Sequence, residues 1–145
     1  MTSETTLVLV ADGNSARFFT RPNDNLPLTE LRELSLTAEA LRRRHGRASA
    51  VHDGANHGHQ VRPAHDTIQN DSERQFLRHI AGRLNLAVEE NAAGSLIVIA
   101  PPRGLGVLRD HLSPSAKARV VREIAKDIVR ESVTEIDARL RLGRE

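Results

Sequence analysis

The chain has no cysteine, tryptophan or tyrosine. Without cysteine there is no disulfide framework, no thiolate zinc site and no cysteine nucleophile, which fits a reducing compartment. Aromatics make up 2% of the 145 residues and are confined to Phe18, Phe19 and Phe76. The core is therefore expected to be aliphatic. The chain also has no aromatic platform for stacking bases, which argues against the usual single-strand binding modules. The longest apolar run, Leu96 to Ala100, is far too short to span a bilayer. The N-terminal Met-Thr-Ser-Glu-Thr-Thr has no basic n-region or long h-region, so no signal peptide is expected. The protein reads as cytoplasmic, without a membrane partner.

What is present points to a folded domain. Apolar residues are 39% of the chain, enough to bury a core in one domain spanning 1–145. The net charge of +2 is unevenly spread. Residues 1–40 sum to −3, residues 41–65 to +4 and residues 66–145 to +1. The positive excess thus sits in one short stretch. Of the 21 basic residues, 19 are arginine. Guanidinium suits bidentate phosphate contacts.

That stretch is also rich in histidine. It holds His45, His52, His57, His59 and His65, with Gly46, Gly54 and Gly58 among them, Arg42, Arg43 and Arg44 before it, and Arg47 and Arg62 within it. A connection this long, with almost no apolar side chains, is expected to be functional or flexible.

Along the rest of the chain, Leu7–Ala11 ends at Asp12-Gly13-Asn14 and reads as a buried strand before a turn. Ala16–Thr20 reads as its hairpin partner. Leu28, Leu31, Leu34 and Leu36 suggest a third strand over Pro27–Ser35, and 37–44 suits one short helical turn. Asp66-Thr67-Ile68-Gln69 resembles a capping box and opens the main helix, which runs to about Glu90 and stops at Ala93-Gly94. Ser95–Ala100 reads as a buried strand and Arg103–Leu112 as a short helix. Ser113-Pro114 starts another helix. Val120, Val121, Ile124, Ala125 and Ile128 fit a helix face, though they also permit a strand over roughly 122–129. Ser132-Val133-Thr134-Glu135 is a second capping box opening a terminal helix. The fold class expected is α/β (α+β), with a mixed β-sheet flanked by helices.

Several blocks resemble a known family when taken together. They are Leu9–Arg17, Ser72–Phe76, Ala100–Arg109, Leu112-Ser113-Pro114 and Glu123–Asp127. In order and spacing the chain resembles the bacterial host attachment protein family, grouped with bacterial relatives of the archaeo-eukaryotic release factors and Pelota. The resemblance implies a release-factor middle domain, related to the ribonuclease H arrangement, with 122–129 as its last strand. In release factors the loop before the long helix carries Gly-Gly-Gln, which enters the peptidyl transferase centre. Here that loop has Gly58-His59-Gln60. Gln60 matches the glutamine and Gly58 the first glycine. His59 departs at the middle position, where a side chain obstructs close backbone approach.

Three functions follow as expectations. The first is a noncatalytic RNA- or ribosome-associated domain that makes contact through Arg42, Arg43, Arg44, Arg47, Gly58, His59, Arg62 and Arg103. The second is a peptidyl-tRNA ester hydrolase in which Gln60 positions water. The third is a protein-interaction module for attachment to host cells. No cofactor is expected. His52, His57, His59 and His65 are weak metal candidates, because their spacing matches no standard site. Asp12 and Glu73 occupy nuclease-like positions, but the further carboxylate expected on strand 95–100 is missing. Asp12 is read as a turn residue and Glu73 as a first-turn helix charge. Pro101-Pro102-Arg103 reads as a rigid strand-to-helix turn, a place where an anion can bind.

Overall fold

Every residue of Leu7–Ala11 is buried, on both faces of its strand. An apolar run this continuous belongs inside a sheet covered on both sides. The computed structural model describes residues 5–23, 25–44 and 65–142, with the side chains of 65–69 excluded. In it, β1 (Thr6–Ala11) turns into β2 (Ser15–Arg21), followed by β3 (Thr29–Glu30), β4 (Leu36–Thr37) and a helix α1 over 38–44. Helix α2 (His65–Glu89), β5 (Ser95–Ala100), α3 (Pro102–His111), α4 (Pro114–Arg119), β6 (Val120–Ala125) and α5 (Val133–Leu142) complete the order. The fold is mixed α/β, as its composition and periodicity predict.

The sheet runs β3-β2-β1-β5-β6, with β4 also paired to β2. β1 and β2 form the antiparallel hairpin, in which Leu9 faces Phe18. β1, β5 and β6 are parallel to one another. Alternation sends Leu7, Leu9, Leu96, Val98 and Phe18 to one face, under Phe76, Ile80 and Leu84 of α2. The neighbours Val8, Val10, Ile97, Ile99 and Phe19 go to the other face, under Ile136 and Leu140 of α5. With few aromatics, the interior is filled mainly by leucine, isoleucine and valine.

Three expectations need correction. The strand over Pro27–Ser35 is instead two short pieces, β3 and β4, separated by a 3-10 turn at Arg32–Leu34. Leu28 packs on the α5 face and Leu36 on the α2 face. One straight strand would put both residues on the same face, so the chain must turn between them. Helix α2 does not stop at Ala93-Gly94. Asn91 adopts φ 58°, and Asn91 N–H donates to Val88 O (3.0 Å) while Ala92 N–H donates to Ala87 O (2.8 Å). This is a Schellman-type stop with asparagine in the left-handed position. Finally, the ambiguous stretch is strand at Val120–Ala125 only, and Ile128 and Val129 lie in the buried loop beyond it.

Candidate functional site

Three strands of one direction end side by side, and their exits form a cleft. In open sheets of this kind, ligands bind outside the carboxyl ends of the parallel strands. Asp12 follows β1, Pro101 follows β5 and Asp127 follows β6. The side wall comes from Asn70, Glu73, Arg74 and Leu77 of α2, and from Arg103, Gly104 and Val107 of α3. The cavity has a volume of about 410 Å³. A second cavity of about 320 Å³ adjoins it, sharing Asp12 and Asp127 and adding Ile128, Arg130 and Glu131.

The local sequence explains each wall. Asp12 Oδ1 accepts the Asn14 and Ser15 N–H groups, both at 2.8 Å. It is the turn residue the sequence suggests. Gly13 is needed for space rather than for its φ, since a Cβ there would lie 2.6 Å from the Glu73 side chain. Glu73 therefore rests directly on the β1–β2 turn. It stands eight residues into α2 and is not the first-turn charge expected of it. At the next strand exit, Pro101 caps α3 and Pro102 opens it. Arg103 donates to Asn70 Oδ1 and ties α3 to α2. Pro101–Arg103 is thus the rigid turn expected, with the guanidinium paired yet exposed.

The third wall is held from below by Arg17 on β2. Its Nε and one terminal nitrogen both reach the Glu30 carboxylate at 3.0 Å. Its other terminal nitrogen donates to Val129 O (2.8 Å) and Glu131 O (2.6 Å). The same guanidinium lies 5.1 Å from the Phe19 ring centre. Arg17 thereby clamps the loop that carries Asp127. Its hydrogen bond holds the Glu30 carboxyl below its usual range against the opposing effect of burial, and the Arg17 and Arg32 charges add to the lowering.

A second cationic feature lies on the helical face. Arg42, Arg43 and Arg44 are exposed on α1, and Arg43 lies 3.8 Å from Glu39. Arg83 of α2 donates to Leu34 O at 3.5 Å. Its pKa is depressed, first by burial and then by the nearby charge of Arg44. The structure thus joins Arg83 to the predicted arginine group, and places Arg103 in the cleft. Arg47, His52, His57, Gly58, His59, Gln60 and Arg62 lie outside the described residues, as does the side chain of His65.

Sequence reasoning missed Asn70, Arg74, Arg83, the clamp by Arg17 and the entry of Asp127 into the cleft. Arg17 and Asp127 both lie in blocks that carried the family resemblance, but their meeting is a tertiary fact. Asp127 brings a carboxylate from beyond β6 where strand 95–100 offers none. Even so, among the described residues no three histidine, aspartate or glutamate side chains are grouped to hold a metal ion. Among them, too, no helix is long and apolar enough to cross a membrane.

The fold and the cleft define a class: a mixed α/β sheet protein with a polar ligand-type cleft at its parallel strand ends. Residues 7–140 match the family described as "Protein required for attachment to host cells", and the chain belongs to that family. It is similar to an uncharacterized protein of Rickettsia prowazekii (strain Madrid E), 31% identical over 75 residues, which is 50% of each chain. The chain thus spans about half the length of that curated relative. The crystal structure of an archaeal actin homolog aligns over all of this chain and 51% of its own, with a TM-score of 0.43 and 14% identity.

Proposed function

We propose that the protein is a noncatalytic RNA-contacting module acting through the basic face of α1 and the segment that follows it. The family is defined by a requirement in attachment to host cells, and the contact proposed here is the biochemical activity beneath that requirement. One observation carries the reading. Arg42, Arg43 and Arg44 are exposed together beside the half-buried Arg83, whose pKa is lowered first by burial and then by the charge of Arg44. Like charges held in proximity raise the energy of the free protein, and a polyanion relieves that cost. Among the described residues, Glu39 is the acid bridged to this group, through Arg43.

The position of the segment supports the same reading. Helix α1 starts with Ala38 N–H bonded to Asn14 O, and Asn14 lines the cleft. The chain re-enters the described structure at His65, five residues before Asn70. Arg47, Gly58, His59, Gln60 and Arg62 lie in the sequence between these two described ends. The resemblance to the release-factor middle domain favours RNA, and the ribosome in particular, as the polyanion. Chemistry at Gln60 remains the second reading, weakened by His59 in the place of glycine.

The test is the salt dependence of RNA binding. Each phosphate contact contributes about 0.9 to the slope of log K against log salt for duplexes and about 0.7 for single strands. The triple variant R42Q/R43Q/R44Q should lower that slope by about 2 to 3. Its stability should stay within about 0.5 kcal/mol of the parent, because the side chains are exposed. An unchanged slope, or failure to cosediment with ribosomes at low salt, overturns the proposal. Hydrolysis of peptidyl-tRNA that is lost in Gln60→Ala would replace it with the hydrolase reading.

A further inference from the structure

We propose that the strand-end cleft binds a phosphorylated sugar, its phosphate beside Arg74, Arg103 and the first turn of α3 and its hydroxyls on Asp12 and Asp127. This site is separate from the α1 arginine face and does not depend on RNA binding.

The argument rests on the cavity and on the distribution of charge around it. Its volume of about 410 Å³ lies within the range of small-molecule sites. Its helical wall carries two guanidinium groups, on Arg74 and Arg103. Between them and the strands, α3 opens without an acidic residue in its first turn or a side-chain cap. Leu105 N–H is bonded to Pro101 O, so the N–H groups of Arg103 and Gly104 lead the turn as donors. Together these groups suit a compact anion with several acceptor oxygens.

The opposite wall has the other polarity. Asp12 and Asp127 stand where the two cavities meet, and the second cavity adds Ile128, Arg130 and Glu131 but neither Arg74 nor Arg103. Asp12 has one oxygen committed to two backbone N–H groups, which fixes the orientation of its carboxylate. Glu73, pressed onto Gly13, adds a further acceptor on the helical wall. A bare dianion would face three carboxylates. A neutral sugar would make no use of the two guanidinium groups. A molecule that carries phosphate at one end and hydroxyl donors at the other satisfies both walls. Arg17 keeps the arrangement in place by clamping Val129 and Glu131 beside Asp127.

The probes are ribose 5-phosphate, ribose and inorganic phosphate, titrated separately into the intact chain and followed by backbone amide NMR. Saturable shifts at Gly13, Gly104 and Asp127 are expected with ribose 5-phosphate at millimolar concentration, with weaker responses to either fragment. Arg103→Ala should weaken ribose 5-phosphate about ten-fold. Asp127→Asn should weaken ribose 5-phosphate and ribose but not phosphate, which loses one repelling carboxylate and should bind at least as well. The dispersion of each variant's own spectrum reports that it is folded. Adenosine 5′-phosphate distinguishes the two sources of this chemistry: binding tighter than ribose 5-phosphate marks a nucleotide as the ligand, and equal binding marks a sugar phosphate. The proposal is overturned if ribose 5-phosphate does not saturate. It is equally overturned if phosphate alone binds as tightly, if the shifts fall on Arg42–Arg44 instead, or if neither variant alters binding.

Discussion

Gly13 has Glu73 where a side chain would go. A Cβ there would lie 2.6 Å from the Glu73 side chain, closer than real contacts allow. Gly13→Ala should therefore cost about 1 to 3 kcal/mol, measured by urea denaturation. In an E73A background the same substitution should cost much less, and the difference is the coupling between the two positions. Arg17 is the residue on which the cleft's third wall depends. Arg17→Met should cost about 3 kcal/mol, since the Glu30 carboxylate and two carbonyls lose a charged donor. The pair also predicts a pH dependence. The folded pKa of Glu30 is depressed by Arg17, so its contribution is fully present above the unfolded glutamate pKa of about 4.3. It is lost as pH falls from there through the folded value. Denaturation midpoints followed downward from about pH 6 should fall less steeply in Arg17→Met than in the parent.

At the level of single elements, local signals mark where helices begin more clearly than where strands lie. The box at Ser132–Glu135 forms as the sequence suggests. Ser132 N–H donates to Glu135 Oε1 at 2.9 Å, and Glu135 N–H donates to Ser132 Oγ at 3.1 Å. Ser132→Ala should cost about 1 kcal/mol, with the melting temperature as readout. Ser113 caps α4 in the same way, accepting from Ala116 N–H at 3.1 Å. Strand β6 shows the opposite case. Its residues alternate between half-buried and exposed, and its sheet neighbour lies on one side only. An edge strand of this kind has no continuous apolar run, and Val120, Val121, Ile124 and Ala125 mimic a helix face. Pairing with β5, including the register shift near Ile97, decides the matter.

Over the whole molecule, one sheet separates two cores. Leu84 is fully buried on the α2 side and Ile136 on the α5 side. Leu84→Ala should cost about 3 kcal/mol and Ile136→Val about 1 kcal/mol. With no shared partner, the double variant should fall within about 0.5 kcal/mol of their sum. A larger deviation in denaturation free energy would mean that the two faces communicate through the sheet.

The chain order by itself pointed to the mixed α/β class, because two short continuous apolar runs, Leu7–Ala11 and Leu96–Ala100, bounded by turn signals, read as central strands beside longer helical patterns. It also determined the hairpin, the long helix and the capped starts of α4 and α5, since those depend on neighbours within a few residues. The excess of arginine at 42–44 is legible in the same way, being a matter of local composition. Only the tertiary structure decided the cleft. Asp12, Arg74, Arg103 and Asp127 are far apart along the chain, and three parallel strands must end together before they share a cavity. Only the fold, too, gave Arg17 its grip on Val129 and Glu131, set Glu73 on Gly13 and brought Arg83 beside Arg44. Periodicity reports which face of an element is buried. It carries no information on which distant element will meet that face.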